Sequence, residues 1–221
     1  MNRLIDDQGR ITLGIFPHPL KEINYRDYLL TTPMGSRYHP SSEIYGSTSL
    51  SFGITGPDVI AGLAVVNLKY LASGFLYVYD LKSDTIIEAG KTALPVGSKK
   101  FITSNPANVS CGFTSGALSI NIESQRISAR SKGMDIDLTF DRAGTAPLRI
   151  CTKAGYSGWV YTEKSSPITI SGRITTEDRQ IEIASPSHMG LMDWTAGYMR
   201  RETFWNWAAS AWTLRTDAAL A

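Results

Sequence analysis

The chain predicts an all-β, antiparallel fold, and three features of the sequence predict it. Short apolar or alternating runs follow one another with almost nothing at helical period. Clusters of Gly, Pro, Asn and Asp punctuate them, and successive runs are often only a few residues apart. Gaps that short favour antiparallel hairpins and a meander, because a parallel crossover needs a dozen residues or more.

The opening stretch, through about Ser42, carries Pro17, Pro19, Pro33 and Pro40 with Tyr25-Arg-Asp-Tyr28 and Arg37-Tyr38-His39. It reads as extended chain and loops with room for a turn of helix, a segment that wraps or closes the β-structure. Strands are expected over Ser47–Ile54, Asp58–Asn67, Gly74–Asp80, Thr85–Ala89, Ala117–Glu123, Arg126–Lys132, Met134–Phe140, Ile168–Thr175 and Arg179–Ser185. The Tyr77-Val-Tyr79 pair alternates onto one side of its strand and reads equally as cross-strand packing or as a stacking surface. In the clearest meander Leu118, Ile120 and Ile122 share one face, and Met134, Ile136, Leu138 and Phe140 continue it, leaving Asp135, Asp137 and Thr139 on the other. Those carboxylates read as a solvated strand face rather than as a metal or acid–base site. Gly155-Tyr-Ser-Gly-Trp159-Val-Tyr161-Thr-Glu-Lys164 has the composition of a loop running into a hairpin.

At 221 residues the chain has room for one large β domain or two small ones. Charged residues are 19% of it and the formal net charge is +2, so the basic excess that would neutralise a row of phosphates is missing and nucleic acid is not an expected partner. Cys111 and Cys151 lie far apart with no cysteine framework around them and read as two buried thiols rather than a bridge. The first residues, Met-Asn-Arg-Leu-Ile-Asp-Asp-Gln, place acids where a signal peptide needs an apolar run, and no uninterrupted apolar stretch reaches the length of a membrane-spanning helix. A soluble, cytoplasmic protein with no integral membrane segment is expected.

Nucleotide, P-loop, zinc-protease, paired-cysteine and nucleophile-elbow signatures are all missing, and His18, His39 and His188 are scattered singly. Neither a metal site nor a cofactor is implied.

Four of the five tryptophans fall within nineteen residues, from Trp194 through Trp205 and Trp207 to Trp212, interleaved with Asp193, Arg200, Arg201 and Glu202. Rings that dense either form a packed core or wall a cavity, and both readings stay open. The step Asp193-Trp194-x-x-Gly197, followed by Arg201-Glu202-Thr203-Phe204-Trp205-Asn206-Trp207-Ala208, resembles a signature of the bacterial DUF2804 family. That family is similar in turn to the wider group of carotenoid 1,2-hydratases and AttH-type proteins, built of two lipocalin-like halves. The resemblance implies a lipocalin-like, calycin-type β-barrel or strongly curved sheet. It also implies a chain that looks truncated, the first part of a two-barrel protein, since such relatives continue through further strands after the tryptophan segment. The expected organisation is an N-terminal extension over 1–46 packed on the barrel, a barrel-like domain over 47–187, and a Trp-rich segment over 188–221 that begins a second β domain.

If Trp194, Trp205 and Trp207 face a cavity they offer an apolar wall for a lipid-like or polyene molecule, with Asp193, Arg201 and Glu202 as polar handles and His188 as a further ligand-binding or acid–base candidate. A hydrophobic small molecule is therefore the expected partner. The hydratase resemblance implies an alternative, in which Asp193 or Glu202, desolvated among indoles, protonates a double bond. A second alternative is a structural or interaction module with no ligand, in which the tryptophans and an Arg201–Glu202 pair are simply core.

Overall fold

A computed structural model describes residues 3–39, 46–94, 99–102 and 106–199. The N-terminal extension holds three short strands, β1 (Gly14–Ile15), β2 (Leu30–Thr31) and β3 (Arg37–Tyr38), and one turn of 3-10 helix at Tyr25–Asp27. A first meander follows: β4 (Ser47–Thr55), β5 (Val59–Asn67), β6 (Ala72–Asp80) and β7 (Thr85–Ala93). A second comprises β8 (Lys99–Ile102), β9 (Cys111–Ser115), β10 (Leu118–Glu123), β11 (Arg126–Ser131) and β12 (Met134–Asp141). Then come β13 (Leu148–Ala154) and a long hairpin of two nineteen-residue strands, β14 (Gly158–Thr176) and β15 (Gln180–Tyr198).

The sheet order, β7-β6-β5-β4-β15-β14-β12-β11-β10-β9-β8, puts the hairpin at the centre with one meander on each side, and all its pairings are antiparallel. The all-β antiparallel expectation holds. The sheet is strongly curved and nearly closed, because β5, β6 and β7 at one end come into contact with β8, β9 and β10 at the other. At Gly74 in β6 a Cβ would stand 2.4 Å from the buried ring of Phe113 in β9. Only a residue without a side chain admits that ring.

Alternation decides which face is dry. Leu118, Ile120, Ile122, Ile127, Ala129, Met134, Ile136, Leu138 and Phe140 are buried, whereas Asp135 and Asp137 lie on the wet face and pair with Arg130 and Arg126. Tyr79 donates to the Asp84 carboxylate in the β6–β7 turn, and Tyr77 covers Gly62 on the neighbouring strand. Cys111 and Cys151 are free, buried thiols whose pKa values burial pushes up to about 12.

Two segments differ from the sequence reading. Trp159–Lys164 is not a loop but the first part of β14, and the turn is confined to the residues just before Gly158. The chain also crosses position 188 inside the single strand β15. In both strands the local signal is interrupted by a proline at a register irregularity: Pro167 lies between the pairs Ser165↔Met192 and Ile168↔Gly190, and Pro186 lies in the excursion between Met189 and Ala184.

Candidate functional site

The inner face of the β13-β14-β15-β4 region is laid out in rows by the strand register. One row runs Cys151, Tyr161, Ala196, Thr48; the next runs Arg149, Glu163, Trp194, Leu50; and Ser165, Met192 and Phe52 form a third. Trp159 and Tyr198 face each other at the near end. The N-terminal extension covers this face with Leu4, Ile5, Phe16, Leu20, Ile23 and Tyr28, all buried. The strand β1 pairs with β13, and the Phe16 N–H donates to the Arg149 carbonyl at 2.9 Å.

Aromatic rings fill much of the space between. Phe16 meets Tyr161 edge-on at 5.7 Å between ring centres, Tyr161 meets Trp194 at 6.2 Å, and Trp159 meets Tyr28 at 6.0 Å and Tyr198 at 5.7 Å. These T-shaped contacts set the positive edge of one ring against the negative face of the next.

Within this apolar surround stands a carboxylate, Glu163, with no exposed side-chain surface. Arg142 Nη2 donates to its Oε1 at 3.2 Å and Arg149 Nε donates to its Oε2 at 2.8 Å. Arg142 follows β12 and is also anchored to the Pro106 carbonyl at 2.9 Å. Desolvation lowers the Arg142 pKa, opposed by the Glu163 charge and reinforced by the neighbouring Arg149. Burial, with Glu163 close by, raises the pKa of Tyr161. Two cations therefore flank one anion in a low-dielectric interior, where charge imbalance is costly.

The same patch collects polar atoms that the protein leaves without partners. Among the described residues five buried side-chain polar atoms make no hydrogen bond: Thr48 Oγ1, Trp159 Nε1, Tyr161 OH, Ser165 Oγ and Arg179 Nε. The last forms an ion pair with Asp80. The other four all lie on this inner face, and three of them alternate with Glu163 along β14. Buried polar groups are satisfied in the great majority of cases, so four such atoms on one face stand out.

The residues singled out from the sequence are distributed differently. Trp194 is fully buried on the inner face, two strands' width from Arg149. Asp193, its neighbour in sequence, projects to the opposite side of β15, as successive residues on a strand must. There its carboxylate accepts from Thr162 at 2.8 Å and Thr195 at 3.0 Å and pairs with Lys164. His188 sits in the excursion of β15, its Nε2 3.0 Å from Asp58 Oδ1 in the β4–β5 turn, whereas Asp193 lies opposite Ser51 in the middle of β4. Arg201, Glu202, Trp205 and Trp207 lie outside the described residues. No group of three or more metal-ligating side chains occurs among the described residues, and no helix among them is long and apolar enough to cross a membrane.

The Arg142–Glu163–Arg149 cluster escaped the sequence reading, although one signal pointed to it. Trp159, Tyr161 and Glu163 alternate, which places an acid on the face of two large rings once the segment is read as a strand.

Comparison with known proteins adds the following. Two crystal structures resemble the fold loosely. One is of a protein assigned as an AttH from Nitrosomonas europaea, with a TM-score of 0.49 and 10% identity, covering 78% of this chain and 59% of the other. The second is kievitone hydratase from Nectria haematococca, with a TM-score of 0.46 and 14% identity, covering 70% and 48%. The chain thus spans less than two thirds of the length of either. No curated protein sequence matches it. The model of the domain of unknown function DUF2804 matches residues 2–219, which is nearly the whole length, and the chain belongs to that family.

Proposed function

We propose that the protein binds a hydrophobic small molecule, lipid-like or polyene in character, against the inner face of its curved sheet. The observation that carries this reading is the cluster of unpartnered polar atoms of Thr48, Trp159, Tyr161 and Ser165 in an otherwise aromatic and aliphatic interior. An apolar surface with a few convergent hydrogen-bonding groups is the usual make-up of a small-molecule site. The rings touch one another, so a ligand enters by turning one of them aside. Trp194, predicted from the sequence as part of the wall, lies in the same row as Glu163 and belongs to this patch.

Tyr161→Phe tests the reading, since it removes one orphan hydroxyl and leaves the ring. An unfilled hydroxyl costs stability in the free protein, whereas a hydroxyl that bonds a ligand contributes to affinity. The variant is expected to unfold at higher urea than the wild type. It is also expected to bind a fatty acid or polyene roughly three- to tenfold more weakly, read by quenching of tryptophan emission. Unchanged affinity, or no quenching by any apolar probe with wild-type protein, overturns it. Lipid extraction and mass spectrometry of purified protein then identifies the bound class directly.

A further inference from the structure

We infer that the inner-face site takes an apolar molecule bearing a single carboxylate, and that Arg149 is the residue that receives it. This rests on the interior-binding reading above and adds to it the chemistry of the ligand's polar end.

Arg149 commits only its Nε, which donates to Glu163 Oε2. Its Nη1 and Nη2 make no hydrogen bond among the described residues and are not among the buried unpartnered atoms, so they form the solvent-reaching edge of a side chain that is 11% exposed. Arg142, in contrast, is used on both arms, by the Pro106 carbonyl and by Glu163. A guanidinium held through one nitrogen presents its remaining donors as a planar fork, the geometry that fits a carboxylate with two parallel hydrogen bonds. Glu163 fixes the plane of that fork.

The charge count selects the ligand. Arg142 and Arg149 against Glu163 leave one uncompensated positive charge, which one carboxylate neutralises, whereas a phosphate monoester would leave the site negative. Tyr161 lies two residues before Glu163 on the same face, fully buried, with its hydroxyl unpartnered, and supplies a further donor to the same oxygen atoms. The aromatic rings around it accept the apolar remainder. Arg149 acts here as a binding residue and no chemical step is involved.

The test compares dodecanoate, dodecan-1-ol and dodecyl phosphate, titrated into the full chain and followed by tryptophan emission. Dodecanoate is expected to bind about tenfold or more tightly than the alcohol and the phosphate, the margin of a charge-assisted bidentate contact. Arg149→Met is expected to abolish that preference, so that the acid binds no more tightly than the alcohol. Arg149→Lys, which keeps the charge but loses the fork, is expected to retain part of it and serves if the methionine variant does not fold. Equal affinity of acid and alcohol in the wild type overturns the inference while the interior-binding reading stands, as does a preference that stays undiminished in either variant. Failure of all three amphiphiles to bind overturns both. Tighter binding of the phosphate overturns the assignment of a monoanion.

Discussion

At the scale of single residues, Glu163 is the position on which most depends. Removing one partner from a buried ionic cluster leaves charge that water cannot reach, while replacing the whole cluster by apolar side chains removes the cost as well as the benefit. Glu163→Leu is therefore expected to destabilise the fold by on the order of 3 kcal/mol, measured by urea unfolding. The triple replacement Arg142→Met, Glu163→Leu and Arg149→Met is expected to recover most of that loss while losing any selectivity for a carboxylate. A triple variant as unstable as the single one would show that the cluster holds the fold through packing of the arginine stems instead. Why the sequence hid Glu163 while showing Trp194 is a matter of chemistry at each position. Trp194 announces burial by its size, whereas an acid announces exposure, and only its arginine partners, 21 and 14 residues earlier in the chain and beyond any local pattern, reverse that expectation. Asp193 misled in the opposite sense: it stands next to a buried indole in the chain, yet the two-residue period of a strand turns it to the other face, where Thr162, Thr195 and Lys164 occupy its oxygens.

At the scale of elements, the excursion of β15 around Pro186 shapes a second polar cluster. It carries His188 onto Gly56, where a Cβ would stand 2.1 Å from the imidazole ring, and against Asp58. Arg179, in the β14–β15 turn, pairs with both Asp58 and Asp80, and Lys82 approaches Asp58, so three turns are tied together at one end of the sheet. Burial pushes the Asp58 carboxyl upward, but its hydrogen bond to His188 and the charges of His188, Lys82 and Arg179 outweigh that and hold it below its ordinary 3.8. Asp80 behaves alike: burial is opposed by the backbone N–H groups of Lys82 and Ser83 and by Arg179, with the same net lowering from 3.8. A carboxyl whose folded pKa lies below its unfolded one contributes stability that is complete above the unfolded value and lost as pH falls through the folded one. The thermal midpoint is thus expected to hold above about pH 5 and fall below about pH 4, and Asp58→Asn with Asp80→Asn is expected to flatten that fall. An equally steep acid limb in the double variant would assign it to other carboxylates. Gly56→Ala is expected to displace His188 and lower the midpoint at neutral pH, since the alanine Cβ and the ring cannot share that space.

For the whole molecule, the question is whether the two meanders stand or fall together. The second was legible locally, since alternation in Leu118–Glu123 and Met134–Asp141 fixes both strand type and buried face. What local pattern does not carry is that β15 pairs with β4 and β14 with β12, joining residues more than a hundred positions apart at the one point and 28 to 42 at the other. Through that hairpin the first meander, the second meander and the N-terminal extension share a single buried cluster. Nothing in such an arrangement lets one side lose its packing while the other keeps its own, so unfolding is expected to be cooperative. The two thiols report on this from opposite sides: Cys111 lies in β9, deep in the second meander, and Cys151 lies in β13 beneath the N-terminal extension. Burial, which lifts both pKa values to about 12, leaves almost no thiolate at pH 8 in the folded state. Each therefore reacts with iodoacetamide only when its surroundings open. Labelled peptides quantified across a urea series are expected to show the same midpoint and slope for Cys111 and Cys151. Earlier labelling of Cys151 with a shallower slope would mean that the N-terminal extension peels away on its own, and the site around Glu163 and Arg149 would then be the part of the molecule that opens first, with a ligand entering beneath that extension rather than past the aromatic rings.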